Sequence, residues 1–134
     1  MIEALESRMF LSADAQTVTV PLRDSVSGNL PGNFLEGTAS LLGKFTAAFN
    51  DQGVVVFTAA NGDELFAQPT VLAPTDDPTV WHTEGIFVGG TGRFEGATGS
   101  FSHDIIFTDA QGNFVYQAQT MITLQRPWND NAVA

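Results

Sequence analysis

Two histidines and one tyrosine are the most versatile proton-handling side chains in this 134-residue chain. His103 stands in Phe101–Asp109, where Phe101, His103, Ile105 and Phe107 alternate with Ser102, Asp104, Ile106 and Thr108. Period-two alternation marks a half-buried strand, which puts His103 on the apolar, inward face. Tyr116 stands likewise in Phe114–Gln125, on one face with Phe114, Ala118, Thr120, Ile122 and Leu124. An imidazole and a phenol aimed into one phenylalanine-lined interior could give and take protons together. The same two residues could instead each satisfy one buried hydrogen bond, or lie near a barrel mouth. His82 and Glu84 share a face of Val80–Val88 with Ile86 and Val88, while Trp81, Thr83 and Phe87 take the other. The pattern leaves open which of these faces points inward. His82, Glu84 and His103 are the residue types of a two-His-one-carboxylate metal centre. Spacing i, i+2 on a strand is common by chance, so no metal is assigned, and His103, Tyr116 and Glu84 stand as the catalytic candidates. Asp51, Asp63, Asp76 and Asp77 fall in loops that match no calcium-binding pattern. There is no Gly-x-Ser-x-Gly elbow. There is no cysteine either, which excludes thiol nucleophiles, disulfides and thiolate metal sites. No cofactor is expected.

Short strands must position these groups. Thr17–Leu22 reads as a strand, with Pro21 suited to an edge or strand end, and Arg23–Asn33 reads as a loop rich in Ser, Gly, Asn and Pro. From Leu35 to Phe49 every second residue is apolar or Gly, in phase throughout. A flat strand of that length is improbable in a small domain. The spacing therefore predicts one strongly coiled strand kinked at Gly37 and Gly43, or two strands bent at Gly43. Asn50-Asp51-Gln52-Gly53, Asn61-Gly62 and Ala110-Gln111-Gly112-Asn113 are hairpin turns between strands at Val54–Ala60, Glu64–Leu72, Phe101–Asp109 and Phe114–Gln125. Seven or eight antiparallel strands joined mostly by short turns predict an all-β up-and-down barrel of about eight strands. A β-sandwich is the alternative. A barrel of this size has room for side chains or one small ligand.

Five of the 13 glycines fall in the twelve residues Gly89–Ser100, between two of these strands. A phosphate-binding reading would need a helix after the loop and a Gly-Lys-Ser/Thr ending, and both are missing. The stretch reads as a corner, with Phe94 tucked into the core and Gly90, Gly92, Gly96 and Gly99 shaping the path. Arg93, the one base in it, pins the corner through a local ion pair (Glu95 is two residues on) or a carbonyl contact.

Gly89-Gly90-Thr91-Gly92-Arg93-Phe94-Glu95-Gly96-Ala97-Thr98-Gly99 resembles the signature loop of allene oxide cyclase-like barrels. It is also similar to the Gly-Gly-Thr-Gly-x-Phe-x-x-Ala-x-Gly run of plant dirigent proteins. Glu36–Thr46 and Ala59–Leu65 resemble stretches in bacterial members of the same group, except that Leu41 stands where a His is frequent. The likeness spans roughly residues 34 to 125. It implies a cavity for an apolar or aromatic small molecule, lined by Phe45, Phe49, Phe57, Trp81, His103 and Tyr116. It also implies chemistry that shapes a reactive substrate without a cofactor, as a cyclase or isomerase does, and a homo-oligomer, dimer or trimer.

Composition narrows the partners. A chain of this length is one domain by size, and 43% hydrophobic content with eleven Phe supplies an aromatic core. Net charge is −10, and Arg8, Arg23, Lys44, Arg93 and Arg126 are too few and too scattered to track phosphates. Nucleic acid and anionic membrane surfaces are disfavoured. No run approaches the roughly 18 apolar residues of a membrane span. Residues 1–14 differ from the rest, and Leu5-Glu6-Ser7-Arg8-Met9-Phe10-Leu11 resembles the Leu-Glu-Pro-Arg-x-Leu-Leu segment that opens many planctomycete-type surface or exported proteins. Three parts are expected: a targeting-like or capping segment at 1–14, a barrel at 15–126 and a tail at 127–134. Location at the cell surface or outside follows from that resemblance, and the cytoplasm is the alternative. Two functions follow: a lipophilic-ligand barrel, possible as an isomerase or cyclase, and a non-enzymatic exported β-domain whose core is simply filled.

Overall fold

A computed structural model describes residues 17–125; the expected segments 1–14 and 127–134 lie outside the described residues. Eight antiparallel strands in sequential order close into an up-and-down barrel. They are β1 Thr17–Asn29, β2 Phe34–Ala39, β3 Gly43–Phe49, β4 Val55–Thr58, β5 Glu64–Pro74, β6 Val80–Gly90, β7 Thr98–Phe107 and β8 Asn113–Gln125. β8 pairs with β1 from Thr17↔Gln125 to Asn29↔Asn113 and closes the ring, which excludes the sandwich. Among the described residues no helix is long and apolar enough to cross a membrane.

Local chemistry sets the hairpins. The Asn50 side-chain oxygen accepts from the N–H groups of Gln52 and Val54 at 2.9 and 3.0 Å. The Asp109 carboxylate does the same for Gln111 and Asn113. These side chains satisfy backbone donors that the ladder cannot reach.

Two expectations fail here. Arg23–Asn29 is not a loop; it continues β1, with Asp24, Val26 and Gly28 turned inward. β2 pairs it on one edge and β8 on the other, and two ladders outweigh the turn preference of Ser, Gly and Asn. Residues 34–50 are not one coiled strand or a bent pair. β2 and β3 fold back as a hairpin around Ser40–Leu42, with Leu41 at a left-handed φ of 75°. Leu35 faces Ala47, Gly37 faces Phe45 and Ala39 faces Gly43. Paired residues of a hairpin share a face, and here each pair joins two odd-numbered positions. The apolar phase thus crosses the turn unbroken.

The Gly89–Ser100 corner closes one barrel end. A 3-10 turn at Gly92–Phe94 drives Phe94 to 0% exposure. A Cβ on Gly90 would collide with the Glu64 carbonyl oxygen and the Phe94 side chain, so only glycine fits that crossing. Arg93 donates to the Leu41 carbonyl oxygen and lies 3.6 Å from the Asp63 carboxylate. The carbonyl contact is as expected; the acid is Asp63 of the neighbouring turn, while Glu95 points to solvent.

The wall is uneven in three places. Among the described residues β2 covers β1 only from Asp24 to Asn29, leaving Thr17–Leu22 paired on the β8 side alone. Likewise among the described residues, β4 covers β5 only from Glu64 to Ala67, leaving Gln68–Pro74 paired on the β6 side alone, with a bulge between Pro69 and Val71. β7 and β8 pair at Thr98–Ser100 and again at Ile106–Phe107 in one register, but not between. The interrupted stretch holds Phe101–Ile105 opposite Tyr116–Thr120.

Candidate functional site

Inside the barrel lies a cavity of about 90 Å³ with residues from all eight strands in its wall. A single ordered water needs roughly 10–15 Å³, so the space holds several waters or one ring-sized organic group. The wall is almost wholly apolar, and Phe49, Phe57, His103 and Tyr116 line it as expected. Phe45 and Trp81 also face inward but belong to the packed core beside the cavity. Phe45 meets Phe57 edge-on at 5.3 Å, and Trp81 meets Phe107 at 5.9 Å.

Among the described residues five polar side chains break the apolar wall: Asp24, Thr83, His103, Tyr116 and Thr120. Asp24 pairs with Ala118, and Val26 pairs with Tyr116, so Asp24 and Tyr116 are diagonal neighbours on the inward face. A tyrosine side chain spans that diagonal. Burial pushes the Asp24 carboxyl up to about 6, against the opposing pull of the Tyr116 hydroxyl and its own backbone N–H. Burial, with the Asp24 charge and hydroxyl contact added, holds the Tyr116 phenol well above its usual range. His103 stacks on Tyr116 with ring centres 4.2 Å apart. Burial pushes its imidazole below the usual value, so the ring is neutral near pH 7. Its Nδ1 lies 3.2 Å from the Asp104 carbonyl oxygen. A carbonyl only accepts, so the neutral ring carries its proton on Nδ1 and keeps a lone pair on Nε2. The rings continue on both sides, from Phe87 through Phe101 to His103, and from Tyr116 to Phe114 at 6.4 Å.

Sequence reasoning missed Asp24. The signal was present, since Val18, Val20, Leu22, Asp24, Val26 and Gly28 alternate in one phase. The loop assignment at Arg23 hid it.

Glu84 and His82 are not in this site. Thr83 pairs with His103, and His82 pairs with Asp104, so the wall separates His82 and Glu84 from His103. The two-His-one-carboxylate grouping is therefore not formed. Outside, His82 bridges two acids, with Nδ1 2.8 Å from Asp104 and Nε2 2.9 Å from Glu84. The Ser102 hydroxyl lies 3.3 Å from the same Nε2. The Asp104 contact, then the Glu84 contact, hold this imidazole above its usual value. Among the described residues no group of three or more His, Asp or Glu side chains is arranged to hold a metal ion.

In comparisons with known proteins the chain matches no family model, no curated protein and no solved structure.

Proposed function

We propose that the barrel binds a small, mainly apolar molecule in its interior and meets it with the Asp24, Tyr116 and His103 side chains. The observation that carries this reading is the half-buried Asp24 carboxyl, set on the inward face in an otherwise apolar cavity wall, its acidity weakened to about 6. Burying an ionisable group costs stability unless its charge is compensated. A core filled only for stability has no need of one, whereas groups with perturbed acidity gather at functional sites. The finer reading is a cyclase or isomerase without a cofactor. Tyr116 and His103 would exchange protons there, and the aromatic wall would fix the substrate's shape.

The second reading, a non-enzymatic exported or surface β-domain, draws support from the cavity's size. About 90 Å³ is small beside the 300–1,000 Å³ usual for ligand pockets. Native mass spectrometry before and after organic extraction separates the two. A co-purifying small mass lost on extraction supports the ligand barrel. Unchanged mass, with no thermal shift across fatty-acid and aromatic compounds, supports the filled domain. The same spectrum reports any dimer or trimer.

A further inference from the structure

Resting on the ligand-barrel reading, we infer that the cavity is built for an organic ammonium, a compact apolar body carrying a protonated amine. Thr83 donates its hydroxyl proton to the Val71 carbonyl oxygen at 3.0 Å. Thr120 donates its proton to the Ser100 carbonyl oxygen. The Tyr116 phenol keeps its proton and stands diagonal to Asp24 on the inward face, so the carboxyl is the acceptor set against its hydroxyl. His103 spends its Nδ1 proton on the Asp104 carbonyl. Among the described residues of the cavity wall, Thr83, Thr120 and His103 have their donors committed to backbone carbonyls, Tyr116 has the Asp24 carboxyl set against its hydroxyl, and Asp24, once ionised, has no donor. What remains for a guest is lone pairs: the Asp24 oxygens, the His103 Nε2 and the threonine oxygens.

A guest must bring the protons. A hydroxyl brings one, and a carboxylate brings none and would meet the Asp24 charge. An ammonium brings several together with the one charge that compensates a buried carboxylate. Among the described residues no Lys or Arg lies in the cavity wall to supply that compensating charge. The rest of the wall agrees. The rings of Phe101, His103, Tyr116 and Phe114 form an aromatic surface, and cations are attracted to such ring faces. A net charge of −10 also raises the local concentration of cations over anions.

The test compares 4-fluorobenzylamine with 4-fluorobenzyl alcohol, which match in shape and differ in charge, by fluorine NMR titration of the full chain. At pH 7.5 the amine is expected to bind at least about tenfold tighter, and Asp24→Asn is expected to erase that advantage while the alcohol still binds. Surface attraction fades in 0.5 M salt, whereas a contact inside the wall persists. Should Asp24→Asn fail to fold, the unmodified protein's pH profile carries the same test. Among the described residues Asp24, His103 and Tyr116 are the titratable groups in the cavity wall. The amine's advantage should grow as pH rises to about 6, where Asp24 ionises, and level off above it. Equal or tighter binding of the alcohol, or an amine advantage that survives Asp24→Asn, overturns the ammonium assignment and leaves the ligand barrel standing. Binding of neither probe overturns both.

Discussion

Replacing Asp24 with Asn tests the central physical claim directly, because it removes the charge and keeps the shape. The carboxyl's rise from 3.8 to about 6 means that the folded protein holds this proton more tightly than the unfolded chain does. Stability then falls as pH climbs from about 4 to about 6, and the full cost is present above that. Taken whole, the rise corresponds to about 3 kcal/mol. Asp24 is only partly buried, and water screening reduces the figure to roughly 1–2 kcal/mol. Asn still offers Tyr116 an acceptor, so little is lost on that side. Urea unfolding at pH 7.5 should find Asp24→Asn more stable by about 1–2 kcal/mol, or roughly 3–6 °C in Tm. At pH 4 the two proteins should be nearly equal. A variant less stable at pH 7.5, or a difference independent of pH, would refute the picture of a half-buried carboxyl without a compensating charge.

Three further outcomes follow from the geometry. The two histidines should titrate apart by proton NMR, His82 above its usual 6.5 and His103 below it, and His82→Gln should remove the higher one. Any stability that His82 draws from Asp104 and Glu84 is present at low pH and fades as pH rises through its raised value; two coincident titrations would contradict the placement on opposite sides of the wall. Phe94→Ala, at a fully buried plug, should cost about 3–5 kcal/mol in chemical unfolding. Amide hydrogen exchange should be faster over Phe101–Ile105 and Tyr116–Thr120 than over the continuous β1–β8 ladder, since the pairing is interrupted there; equal protection would place a ladder where none is described.

Much of the fold was legible in the residues. Alternation in Phe114–Gln125 and Phe101–Asp109 assigned the inward faces of His103 and Tyr116, because a strand's side-chain period is two whatever its neighbours. Asn61-Gly62 gave its hairpin because Gly62, at φ 94°, takes a backbone that other residues resist. What stayed hidden depended on pairing. Nothing in Leu35–Phe49 marks the reversal at Ser40–Leu42, since a three-residue turn preserves parity. Arg23–Asn29 looks like loop until β2 and β8 both claim it. His82 and Glu84 sit beside Trp81 and Thr83 with no excess of apolar residues on either face, so only the register against β7 decides which side is out. The loss of Asp24 followed from one of these misreadings, and with it went the group on which the candidate site turns.

The two strand segments left uncovered have a consequence for the protein in crowded solution. Among the described residues, Thr17–Leu22 and Gln68–Pro74 each have a strand partner on one side alone, and Val71 and Leu72 are exposed on the second. Such a margin invites another chain to add as a ninth strand, the first step of edge-to-edge aggregation. Pro21 lies in one segment, and Pro69 and Pro74 lie in the other beside the bulge. Each proline deletes a donor from its segment, and the bulge twists the margin away from a flat template. The prolines and the bulge thus keep copies of the chain from zipping together along these one-sided margins.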